Sequence, residues 1–70
     1  MKKYLVIFEV TETGYSAYVP DLSGCIATGR NKTDVEENIY EAIKFHIEGL
    51  MEENLPIPQS KTEAEVFVLN

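Results

Sequence analysis

Residues 4–10, "YLVIFEV", are almost wholly apolar and rich in β-branched and aromatic side chains, with no helical spacing. This pattern predicts a strand covered on two sides, with Tyr4, Val6, Phe8 and Val10 on one face and Leu5, Ile7 and Glu9 on the other. "TETG" supplies turn chemistry and residues 15–19 alternate, so the two segments are expected to form a hairpin. Pro20 ends the second strand because it has no N–H to give to a ladder. After the "PDLSG" turn, "CIAT" reads as a short third strand.

The pattern then changes period. "TDVE" fits a capping box, with Thr33 as the N-cap and Glu36 reaching back to it. Val35, Ile39, Ala42, Ile43, His46, Ile47 and Leu50 follow at three- and four-residue steps, predicting an amphipathic helix of about five turns. Its polar side carries Glu37, Glu41, Lys44, Glu48 and Glu52, and Asn54, Pro56 and Pro58 stop it. "QSKTE" is a polar loop, and "AEVFVLN" is expected to be a final strand, with Ala64, Val66 and Val68 on one face and Phe67 and Leu69 on the other.

The expected order is therefore β-β-β-α-β, an α+β fold. A right-handed crossover through the helix would set the last strand parallel to the first, giving a four-stranded sheet of order 3-2-1-4 with the helix on one face. One helix cannot cover both faces of such a sheet. Leu5, Ile7, Phe67 and Leu69 are the expected contacts of a homodimer or higher homo-oligomer.

Seventy residues make one domain, 1–70, with a thin core. Twelve acidic residues against six basic give a net charge of -6. That disfavours direct nucleic-acid binding, which relies on Lys and Arg at phosphates, and suits a basic protein partner. The single cysteine allows no internal disulfide. "MKKYLVIFEV" has lysines before an apolar run, but the run is short and no small-residue cleavage site follows it. No segment is long enough to span a membrane, and a cytoplasmic protein is expected.

Asp21, Ser23 and Cys25 in "GYSAYVPDLSGCIATG" resemble an active-site loop in residue type. A thiol nucleophile needs a lowered pKa and a base in reach, and the sole histidine, His46, lies within the apolar helix stripe. One Cys and one His cannot complete a zinc site, and the carboxylates do not converge as a two-metal nuclease requires. The glycines form no phosphate-cradling motif. No metal and no cofactor is expected, and the reading is non-enzymatic; a small hydrolase using Cys25 is the least favoured alternative.

"YSAYVPDLSGCIATG", the helix "EENIYEAIKFHIEGL" and the following "PIP" together resemble the HicB-like antitoxins of type II toxin-antitoxin systems, over nearly the whole chain. The resemblance implies a partial ribonuclease-H-like fold of the order derived above. It also implies binding and neutralisation of a small basic HicA-type toxin, an mRNA interferase. The family commonly has proline where Ser23 stands, and its longer members carry a C-terminal DNA-binding domain. This sequence matches the short form without that domain, so operator binding is not carried over. The turn residues Asp21, Leu22, Ser23 and Gly24 and the helix acids Glu37, Glu41 and Glu48 are the expected partner contacts. The alternative is a degenerate, self-associating interaction domain without a toxin.

Overall fold

The computed structural model describes residues 2–70. Three strands and one helix follow in order: β1 (Ile7–Thr11), β2 (Gly14–Tyr18), β3 (Ile26–Gly29) and α1 (Lys32–Glu52). The strands form one antiparallel sheet of order β1-β2-β3, with Phe8 opposite Ala17 and Ala17 opposite Ala27. Alternation along each strand then sends Phe8, Tyr15, Ala17 and Ala27 to one face, where α1 packs. The buried core is small: Ala17, Val19, Leu22, Cys25, Val35 and Ile39.

The expected fourth strand does not form among the described residues. The sheet has three strands, not four in the order 3-2-1-4, and the observed order is β-β-β-α. The segment 64–70 is exposed and joins no ladder. Strand propensity describes a fit to a pleated surface; it does not decide whether an edge is reached. Two tethers set the path of this segment. The Tyr4 hydroxyl donates to the Pro58 carbonyl, and Asp21 accepts from Lys61 and Thr62. The second tether lies at the β2–β3 turn, at the end of the sheet, and the chain beyond it leaves the body.

The helix starts earlier than the capping box implied. Asn31 is the N-cap, with its Oδ1 accepting from the Asp34 N–H at 2.9 Å, and Thr33 lies inside the first turn. Asn competes well as a cap because its side-chain oxygen reaches an orphan amide without the χ1 limits of threonine. At the other end Leu55 N–H bonds the Leu50 carbonyl and Asn54 N–H bonds the Met51 carbonyl. Asn54 has φ 56°, so the helix closes in a Schellman motif with asparagine in the left-handed position.

Gly29 fixes how closely the helix follows the sheet. A Cβ there would lie 2.5 Å from the Val35 nitrogen and 2.8 Å from its Cα, both backbone atoms that cannot swing away. Asn38 Nδ2 donates to the Thr28 carbonyl at 2.8 Å and ties the next helical turn to the same strand. Among the described residues no helix covers the other sheet face. On it Ile7, Tyr18 and Ile26 stand in one cross-strand row. Tyr18 and Ile26 are exposed and Leu5 and Ile7 are half-buried.

Candidate partner-binding surface

Two consecutive turns build the loop after β2. Leu22 N–H bonds the Val19 carbonyl and Cys25 N–H bonds the Leu22 carbonyl, each at 3.1 Å. Pro20 presets the first turn and Gly24, at φ 78°, supplies the left-handed residue of the second. Val19 N–H bonds the Cys25 carbonyl and closes the base.

This geometry divides the four turn residues. Leu22 is 1% exposed and belongs to the core. Asp21 is spent inside the chain: Oδ2 accepts from the amides of Lys61 and Thr62, and Oδ1 accepts from the Thr62 hydroxyl at 2.7 Å. The Thr62 hydroxyl bond, then the Lys61 and Thr62 amides, hold the Asp21 carboxyl below its ordinary pKa. Ser23 and Gly24 alone of the four face solvent.

Beside Gly24 an apolar groove runs between the start of β3 and the second half of α1. Cys25, Ala42, His46, Gly49 and Leu50 line it, with Ile26, Phe45 and Leu55 at its rim. The groove thus brings Cys25 and His46 into one hollow. The chemistry does not follow, because burial pushes the Cys25 thiol above its ordinary pKa, and a protonated thiol is a poor nucleophile. No group of three or more His, Cys, Asp or Glu among the described residues is placed to hold a metal ion. No helix among them is long and apolar enough to cross a membrane.

Glu37, Glu41 and Glu48 are exposed on α1, as their spacing implied. Phe45 lies outside the apolar stripe of α1. It is 79% exposed and lies four residues after Glu41 and three before Glu48, so it stands within the acidic stripe. Ile26, 69% exposed, faces outward on the open side of the sheet. The signal for Phe45 is visible in the sequence: a phenylalanine on the polar side of an otherwise regular helix pattern breaks the expected division. The pattern alone does not say that a groove lies next to it.

A family model described as the HicB-like antitoxin of bacterial toxin-antitoxin systems matches residues 4–68. Among relatives, a UPF0150 protein of Thermoplasma acidophilum is 42% identical over 62 residues, covering 87% of this chain and 90% of that protein. A UPF0150 protein of Synechocystis is 39% identical over 57 residues, 80% of this chain and 72% of its own length. A 14.9 kDa protein from the rep-hol intergenic region of Haemophilus phage HP1 is 39% identical over 57 residues. That match covers 81% of this chain and spans only 43% of the phage protein. Among solved structures, a chain of a HicA3 and HicB3 toxin-antitoxin complex superposes with a TM-score of 0.72 at 35% identity, covering 86% of this chain and 70% of that one.

Proposed function

The chain belongs to the HicB-like antitoxin family, and on that premise we propose that it neutralises a small basic HicA-type toxin, an mRNA interferase, by binding it directly. The observation that carries this reading is the likeness, at 35% identity, to a chain of a toxin-antitoxin complex. The proposed role is that of a non-enzymatic binding module acting in the cytoplasm, where an mRNA interferase has its substrate.

The groove rim supplies the contacts. Phe45 is the anchor, since a large aromatic side chain already exposed brings much apolar area at little entropic cost. Glu41 and Glu48 flank it and Glu37 extends the charge, so a basic surface would be steered toward the anchor. Ser23 and Gly24 form the loop edge of the same contact. Asp21 and Leu22 act behind it, one tying the turn to residues 61 and 62 and the other filling the core beneath it.

The test is calorimetric titration of this chain with a catalytically inactive HicA-type toxin. Saturable binding that weakens from low to high salt, and that Phe45→Ala reduces at least tenfold, is the expected result. Absence of binding at micromolar concentrations, together with no growth rescue on co-expression with the active toxin, would exclude the proposal. A second reading, a self-associating module without a toxin, draws its support from the apolar segment at residues 66–69.

A further inference from the structure

Val66, Phe67, Val68 and Leu69 are between 77% and 93% exposed, four apolar residues in succession. Such a run is aggregation-prone in water and marks a surface that a partner covers. Both faces of this segment are apolar and its residues are strand-formers, so the matching surface is an open sheet edge with apolar groups above and below. The body offers one. Among the described residues β1 pairs only with β2, leaving its outer backbone groups along Ile7–Thr11 without a ladder.

We propose that residues 63–69 of one copy add as a strand to the free edge of β1 in a second copy, and that the exchange is reciprocal, giving a two-fold dimer. The segment does not lie on its own β1. The chain has a radius of gyration of 13.6 Å and a longest extent of 47 Å, whereas a compact chain of this length has a radius of about 11 Å. Pro56 and Pro58 favour extended backbone before the segment, and the Asp21 tether releases it at the end of the sheet. At about 3.3 Å per residue, residues 63–69 reach about 23 Å, enough to cover a five-residue strand and part of its lead-in.

Charge selects the direction. Lys2 and Lys3 precede β1, and Glu63 and Glu65 precede the apolar run. In a parallel arrangement with Glu9 opposite Phe67 or Val68, Glu63 falls opposite Leu5 or Tyr4, one or two residues from the partner's Lys3. In an antiparallel one with the same pairs, Glu65 would fall opposite Thr11 or Glu12, at the acidic end of β1. Opposite charges across neighbouring strands stabilise and like charges oppose pairing. The parallel exchange also continues the open sheet face, where Ile7 and Tyr18 already stand in one row.

This inference concerns the chain alone and does not depend on the toxin. The experiment uses the full chain in a Cys25→Ala background, with Glu9→Cys paired either with Phe67→Cys or with Val68→Cys to allow for both registers. Oxidation is expected to give a covalent dimer for at least one pair, and light scattering of the unmodified chain a mass twice that of the monomer. Val66→Lys with Val68→Lys, which alters no buried side chain of the body, is expected to return the mass to the monomer's. A covalent monomer would mean that the segment closes on its own β1, and would overturn the exchange. So would failure of both pairs to crosslink, or a monomeric unmodified chain whose segment crosslinks only to a co-purified toxin.

Discussion

Asp21 and Thr62, 41 residues apart, are joined twice: the Asp21 Oδ2 accepts from the Thr62 amide at 3.0 Å and its Oδ1 accepts from the Thr62 hydroxyl at 2.7 Å. A third bond, from the Lys61 amide, completes a clamp around one carboxylate. Hydrogen bonds to the charged form favour ionisation, which accounts for the lowered pKa. The clamp's contribution is therefore present above the ordinary aspartate value of 3.8 and lost as pH falls through the lower folded value. In an amide NMR titration, Lys61 and Thr62 should shift together with a midpoint below 3.8, and Asp21→Asn should abolish that transition. A midpoint at or above the ordinary value would contradict the clamp.

Leu22 is a core residue in a loop that looks functional. Leu22→Ala should lower unfolding stability by about 2–5 kcal/mol, the usual range for truncating a buried leucine. Urea unfolding followed by circular dichroism measures it. A loss below about 0.5 kcal/mol, the size expected of a surface site, would show that the side chain is not packed.

Two glycines should respond differently to alanine. Gly29→Ala drives a Cβ into the Val35 backbone and should force strand and helix apart, with a loss above about 2 kcal/mol. Gly24→Ala meets no atom within 4 Å but occupies φ 78°, so its cost should be only about 1–2 kcal/mol. Ser23→Pro, at the first central position of the same turn, should be neutral or stabilising by up to about 1 kcal/mol. Thermal melts of the three variants should rank them in this order.

Cys25 should react slowly. Its thiol is buried and its pKa is raised by desolvation. Iodoacetamide at neutral pH should alkylate the folded chain at least tenfold more slowly than the urea-unfolded chain, as read by intact mass. Equal rates would reopen the thiol as a candidate nucleophile.

Phe45→Ala should leave the melting temperature within about 2 °C, because the side chain is 79% exposed. The same variant is the one expected to weaken toxin binding. Glu41→Lys with Glu48→Lys should slow association and flatten its salt dependence more than it speeds dissociation, measurable by surface plasmon resonance. A change confined to the dissociation rate would remove the acids from the steering role.

Local pattern by itself determined much of this protein. Alternation gave the hairpin, the turn chemistry of Pro20 and Gly24 gave the loop, and the three- and four-residue spacing from Val35 to Leu50 gave the helix. These features depend on neighbours within a few residues, and the motifs in "YVPDLSGC" also carried the family resemblance. The tertiary structure decided what depends on distant groups. It made Asp21 a clamp, since its partners lie 40 and 41 residues away. It put Leu22 inside, and it placed the acidic stripe and Phe45 beside a groove that no local pattern describes. Above all it left residues 64–70 off the sheet. Their apolar sequence specifies a strand's chemistry, but pairing depends on where distant contacts place the chain, here those at Pro58, Lys61 and Thr62.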